Sequence, residues 1–575
     1  MYQKKHTPHF LDMAAGRKHV DLLLTNARIV DVFSRRVIDG DLAIGDGRIL
    51  GIGDYRARNT KDMHGCFVLP GLIDAHVHIE SCMLSPRHFA HSILPRGTTT
   101  IIADPHEIAN VLGLDGIHYM LDASAVLPLS ILFMLPSCVP ATPFENSGAI
   151  LKAADLAAFM DHDQVLGLGE MMNVPGVITA QADVLAKLEL ARSRRKIMDG
   201  HSPGLSGKEL NTYIAAGIRT DHECTTVQEM HDRISRGMYV FIREGSAARN
   251  LETLVQGLTP DNAHRCALCT DDRHPEDILT RGHLDHMLCK AVRCGVEPLT
   301  AVNMATLHPA QCYGLSNKGA VAPGYDADLC IVDGLENFSV RQVYTRGQLV
   351  AQDGQILREL PSFQDPGNSI VLSKIEVQDF RLPVQTRKAN VIRVLPQSIV
   401  TEAVVRPVQA DASGFFDPAL NPGLNLIAVV ERHKGTGNIG LGLVENFHVH
   451  GGAIATSVAH DSHNIVIIGD NAPDMLKVVE DIAAMGGGMS ICRQGKIMNH
   501  LALPIAGLMH DASVRDTAAR LKEMTRLVLN EMNVNPELDP FMNLSFLALP
   551  VIPELKITDK GLFDVRSFSF VQVFI

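Results

Sequence analysis

Leu69-Pro70-Gly71-Leu72-Ile73-Asp74-Ala75-His76-Val77-His78-Ile79-Glu80 is an apolar run, broken by Pro70-Gly71, that ends in two histidines one residue apart. In an extended strand that spacing points both imidazoles to one face, where two ring nitrogens can converge on one metal ion. Alone, a His-x-His in a strand is most often structural. Here further apolar runs also end in acids or histidines: Gly167-Leu168-Gly169-Glu170, Ile197-Met198-Asp199-Gly200-His201, Ile218-Arg219-Thr220-Asp221-His222 and Ala267-Leu268-Cys269-Thr270-Asp271-Asp272. A strand followed by a polar ligand at its carboxyl end, repeated, is the pattern of a (β/α)8 barrel, whose chemistry sits at the C-terminal rim.

Outward from that stretch, strands alternate with helical patterns, giving eight candidate barrel strands at 67–78, 98–105, 129–135, 165–170, 196–201, 217–222, 238–244 and 265–271. Short alternating strands with turn pairs Asp39-Gly40 and Asp46-Gly47 precede the barrel, and similar texture returns after it. The expected fold is therefore α/β: a TIM-type barrel over 69–317, a small discontinuous β-sandwich from 20–68 and 318–354, and an additional α+β domain over 370–575. Asp353-Gly354, Leu360-Pro361 and Asp365-Pro366-Gly367 mark a linker near 355–370.

Composition narrows the function. With 575 residues, 46% of them hydrophobic and 20% charged, the chain can bury a large core. A net charge of −12 argues against a nucleic-acid partner, because phosphate binding needs a basic surface. No run of eighteen apolar residues could span a bilayer and no signal-peptide pattern opens the chain, so no membrane partner and a cytoplasmic location are expected. Eleven cysteines without a spacing framework suit a reducing compartment.

The strand ends collect His76, His78, Glu170, His201, His222 and Asp271. Imidazoles with carboxylates suit Zn(II), Mn(II) or Fe(II), and six ligands are more than one tetrahedral ion requires. Two divalent ions bridged by a carboxylate would use them all, and a hydroxide between them would attack an sp2 carbon at neutral pH. Glu170 could instead cap a turn, but ligation is the preferred reading. Because neighbours in a strand face opposite sides, Asp271 is expected to be ligand and proton acceptor, with Asp272 turned toward Arg273. Asp104-Pro105-His106-Glu107 reads either as a helix cap or as a rim cluster that handles substrate or protons. Glu223, Arg243 and Ser246 are similar candidates, with Glu107 and Glu223 the expected acids. His460 and His463, in Ala459-His460-Asp461-Ser462-His463-Asn464, belong by default to a self-bonded loop and alternatively to a segment reaching over the barrel mouth. His448-Val449-His450 repeats the His-x-His spacing without carboxylates and reads as structural.

The segment from Pro70 to His78 resembles the first-strand signature of the amidohydrolase superfamily. Glu80-Ser81, Asp104 to Val111, Gly169-Glu170-Met171-Met172, Asp199-Gly200-His201, Ile242 to Ala247, Cys269 to Arg273 and Ala459 to Asn464 are similar to the bacterial adenine deaminase family. The resemblance implies hydrolysis of adenine to hypoxanthine and ammonia at a binuclear Mn(II) or Fe(II) centre. Its shell would be His76, His78, Glu170, His201, His222 and Asp271, with Glu170 bridging where many relatives use a carboxylated lysine. Attack would fall on C6, and the small molecule adenine would be the partner of a homo-oligomer, a dimer. The rival readings are a cyclic-amide hydrolase of the dihydroorotase or hydantoinase type, which would use that lysine, and a non-catalytic metal-binding scaffold, for which a proton acceptor beside the metal would be superfluous.

Overall fold

The computed structural model describes residues 8–396 and 398–575. Its centre is a curled parallel sheet of eight strands: β1 Leu72–Val77, β2 Thr98–Ala103, β3 Ser130–Leu135, β4 Val165–Met171, β5 Ile197–Gly200, β6 Thr220–Asp221, β7 Tyr239–Arg243 and β8 Cys266–Cys269. Ladders join β1 through β5 and β6 through β8 in sequence order. Backbone hydrogen bonds also span the two seams. Arg219 N–H donates to Met198 O at 3.1 Å, and Asp271 N–H donates to His76 O at 3.0 Å. The sheet therefore closes into a TIM-like barrel with every strand pointing its carboxyl end to one mouth.

The expected first strand, 67–78, is two. Phe67–Pro70 lies in a different sheet, pairing parallel with Val20–Asp31 and antiparallel with Leu329–Val332. Gly71 is the crossing point. A Cβ there would stand 2.1 Å from Thr99 Oγ1, so only glycine lets the chain pass from one sheet to the other. That second sheet has nine strands drawn from both flanks of the barrel. The helical stretch that follows the barrel strands divides into Pro298–Met304 and Leu307–Cys312, because Thr306 at φ −142° leaves the helical region.

After an irregular stretch, an eight-stranded sheet runs from Lys388–Val394 to Lys496–Ala502. One side carries the helix Ala472–Ala484, whose Met475, Val478 and Ile482 are buried with Ala453 and Ile467. The other side shares a continuous apolar core with the barrel, to which Ile454, Val466 and Leu508 belong together with barrel residues such as Val77 and Ile79. The C-terminal sheet is thereby pressed onto the mouth. No helix among the described residues is long and apolar enough to cross a membrane.

Behind β6 lies a fully buried ion pair. Arg233 Nε donates to Asp221 Oδ2 at 2.8 Å and its NH2 to Ser202 O. Asp221 also accepts from Ser202 N–H and Oγ–H, so one carboxylate ties the loops that carry His201 and His222. Removing one partner of a buried pair leaves an uncompensated charge. Arg233→Met is expected to cost about 3–5 kcal/mol, read as a fall in the denaturant midpoint with an unchanged slope.

Candidate active site

His76 and His78 close β1 at 1% and 3% exposure, with their Nε2 atoms 3.1 Å apart. His78 Nδ1 sits 3.0 Å from the Asp104 carbonyl oxygen. That acceptor places the proton on Nδ1 and turns the Nε2 lone pair toward the cluster, the orientation a metal-ligating imidazole needs. Glu170, at the end of β4, spans the cluster. Its Oε1 is 3.3 Å from His78 Nε2, while its Oε2 is 2.8 Å from His201 Nδ1 and 3.2 Å from His222 Nε2. His76 and His222 stack with ring centroids 4.1 Å apart. Asp271 Oδ1 lies 3.3 Å from His78 Nε2. All six residues singled out at the strand ends thus meet at one place. Triads such as His76, His78, Glu170 and Glu170, His201, His222 have ligand atoms within 4.8 Å of one another.

The cluster is electrically organised. Burial works against charge on Asp271, but its hydrogen bond to His78 and the Arg243 guanidinium hold the carboxyl well below its usual range. Glu170 is buried too, and the histidines that bond it keep it ionised. Arg243 donates to Asp271 Oδ2 at 2.7 Å and grips both oxygens of Glu223, the second at 2.8 Å. Glu223 is therefore clamped by a fork–fork ion pair at the rim of the cavity.

Asp104 does not cap the helix His106–Leu112, which has no side-chain cap. Its Oδ2 accepts the Glu170 backbone N–H at 2.9 Å. Gly169 makes that approach possible, since a Cβ there would lie 2.0 Å from Asp104 Oδ2. His106 Nδ1 is 3.5 Å from Glu170 Oε1 and 3.7 Å from Asp104 Oδ1, and neither His106 Nδ1 nor Asp104 Oδ1 has a hydrogen-bond partner among the described residues.

Glu107 is met from the other side by the C-terminal sheet. His460 Nδ1 approaches its Oε1 at 2.7 Å, and His463 Nε2 contacts its Oε2. The Ala459–Asn464 segment therefore reaches over the barrel mouth and is more than a self-bonded loop. Burial opposes charge on Glu107, yet His460, His463 and His106 together hold it well below the carboxylate range. The residue expected to act as an acid is thus held as an acceptor between imidazoles.

Two expectations fail on geometry. Asp272 does not pair with Arg273, which donates to Glu244 O. Asp271 has a left-handed φ of 55°, so the strand alternation stops there and Asp272 also faces the cavity, bonded by Ser81 Oγ. Ser246 is absent from the lining of the cavity that holds the cluster. It donates to Asp277 Oδ2 at 2.7 Å and accepts His274 N–H, bracing the loop after β8. His448 and His450, both exposed, lie outside the site.

The cavity, about 420 Å³, is lined by His78, Glu170, His201, His222 and Asp271 of the cluster, by His460 and Asp461, and by an apolar roof including Ile399, Val400, Phe546, Leu549 and Ile552. Sequence reading missed the roof, because ordinary apolar residues in a distant domain carry no spacing signal. It also missed Lys556, a fully buried lysine whose Nζ donates to Ile399 O at 2.9 Å and Phe546 O at 3.0 Å, tying two roof segments together.

Residues 67–350 match the amidohydrolase family, and residues 398–569 match the adenine deaminase C-terminal domain. The adenine deaminase of Nitratidesulfovibrio vulgaris is 55% identical over 98% of this chain and 98% of its own length. The chain belongs to the adenine deaminase family. The adenine deaminase of Clostridium acetobutylicum is 49% identical, covering 98% of this chain and 99% of its own. That of Desulfatibacillum aliphaticivorans is 46% identical over the same shares. In this adenine deaminase family member the C-terminal match contains the segment that bonds Glu107, so the part of the chain that distinguishes it from a plain amidohydrolase barrel also touches the site.

Two predictions follow from the supports around the cluster. Gly169→Ala pushes Asp104 off Glu170 and is expected to lower metal content per chain at least severalfold, measured by elemental analysis, while the circular dichroism spectrum stays native. Burial pulls Lys556 down to about 7. Between pH 7 and its unfolded value near 10.5 the unfolded chain holds a proton there that the folded chain lacks, so stability rises with pH through that window. Lys556→Met is expected to flatten this rise, measured as the difference in unfolding free energy between pH 7.5 and 9.5 for variant and parent.

Proposed function

We propose that this protein hydrolyses adenine to hypoxanthine and ammonia. The observation that carries the reading is the Glu170 carboxylate spanning two groups of imidazoles inside a barrel whose chain matches adenine deaminases over nearly its full length. The donor set fits two divalent ions: His76, His78 and Asp271 on one side, His201 and His222 on the other, with Glu170 shared between them. Mn(II) or Fe(II) suits this mixture of imidazole and carboxylate, and Zn(II) is compatible with it. Such a pair, when bound, lowers the pKa of the attacking water and stabilises charge on the substrate.

The remaining work belongs to the chain. Asp271 is placed to take the proton from the attacking water, because Arg243 occupies its Oδ2 and leaves Oδ1 directed at the histidines. Arg243, neutralised by Glu223 and Asp271 together, is spent on positioning. The apolar roof excludes bulk water and offers a surface on which a flat heterocycle can lie. Attack at C6 then expels the exocyclic amine as ammonia.

The cyclic-amide alternative lacks its bridging residue. The buried lysine on the helix that follows β4, Lys187, donates to Ser137 O at 2.9 Å and pairs with Asp183, outside the cluster. A proton acceptor held beside the ligands likewise serves no purpose in a scaffold.

The test is an ultraviolet assay with adenine after chelator treatment and reloading. Turnover to hypoxanthine is expected to return as about two equivalents of Mn(II) bind per chain. Asp271→Asn is expected to keep its metal and to lose about 10²–10⁴ in kcat. Metal-loaded protein that leaves adenine unchanged overturns the reading.

A further inference from the structure

We infer that His460, contributed by the C-terminal sheet, is the acid that delivers a proton to the leaving amine, with Glu107 and His463 holding its ring in place. The inference rests on the deaminase reading above.

Geometry singles out His460 from its neighbours. Ala459 N–H donates to His463 Nδ1 at 3.0 Å, so the proton of the His463 ring sits on Nε2 and is given to Glu107. Both His463 nitrogens are thereby used inside the protein. The second Glu107 oxygen takes His460 Nδ1–H at 2.7 Å. The His460 ring lies flat on Phe546, with centroids 4.5 Å apart and planes 18° from parallel, which fixes its rotation. What is left is Nε2, which makes no hydrogen bond among the described residues, while the residue lines the same cavity as Asp271 and Glu170. A carboxylate behind an imidazole that lines a cavity and keeps its far nitrogen unused is the arrangement of a positioned proton donor.

The electrostatics agree with the geometry. The titratable groups around His460 include Glu107, Asp272, Asp461 and His463, with His106 sharing Glu107 Oε1 from the barrel side. Burial opposes charge on His460, but the Glu107 carboxylate outweighs it and raises the ring to about 9, whereas burial takes His463 down to about 4. His460 is the protonated member of the pair at neutral pH.

The step balances. Water gives one proton to Asp271 as its oxygen bonds to C6, and Asp271 passes that proton to ring nitrogen N1. His460 Nε2–H protonates the exocyclic amine. The C6–N6 bond breaks with its electron pair leaving on ammonia, and the proton of the new C6 hydroxyl returns to His460 as the carbonyl forms. Hypoxanthine and ammonia are the products, and both side chains regain their starting states.

The test compares the parent with His460→Asn and Glu107→Gln in kcat against pH from 6 to 10, with metal content measured alongside. Asparagine keeps a donor to Glu107 in place of Nδ1–H and lacks the far nitrogen. The parent is expected to lose kcat above about pH 9. His460→Asn is expected to lose about 10²–10³-fold in kcat at pH 7.5, to retain metal and to show no alkaline limb. Glu107→Gln removes the charge that keeps His460 protonated, so its alkaline limb is expected to move about one unit or more toward lower pH. Should His460→Asn fail to fold, that displacement carries the test. A His460→Asn enzyme within threefold of the parent, or a limb unmoved in Glu107→Gln, overturns the inference while leaving the deaminase reading intact. A parent without adenine turnover overturns that reading instead.

Discussion

The closure of the barrel between its first and last strands is the constraint on which the site depends. It is made by one backbone hydrogen bond, from Asp271 to the carbonyl of His76. The bond joins two residues that are themselves expected metal ligands, so closing the sheet and assembling the cluster are one event. Thr270 repeats the link one residue back, donating from N–H and Oγ–H to the buried Asp74 carboxylate. Asp74, burial-raised to about 7, keeps these two donors in the interior, where an unpaired carboxylate would be costly.

Much of this was legible in the sequence because the barrel imposes a simple rule: an apolar run, then a polar residue at its end. His76, His78, Glu170, His201, His222 and Asp271 all obey it. Asp272 was misplaced because the alternation rule assumes extended backbone, and Asp271 leaves that region. The first strand was drawn too long because Phe67–Pro70 and Leu72–Val77, both fully buried, follow one another with only Gly71 between them. Only their hydrogen-bond partners, distant in sequence, separate the two. The role of Glu107 could not be read from its own neighbourhood alone, since two of the three imidazoles around it stand more than three hundred positions away.

The C-terminal sheet does more than cover the mouth. Its loop between Gly452–Thr456 and Ile465–Gly469 inserts two imidazoles against a barrel carboxylate, and its later turns lay an apolar roof over the ligands. Lys556 fastens that roof with carbonyl bonds alone, a choice that keeps a further charge out of a region already dense with carboxylates and rings.

These contacts also divide the site between two distant parts of the chain. The six strand-end residues are all in hand by Asp271, whereas the histidines that hold Glu107 and the ceiling of the cavity come from residue 398 onward. A barrel cut away from the C-terminal sheet would therefore keep its candidate ligands and yet leave Glu107 without His460 and His463, under a mouth open to water.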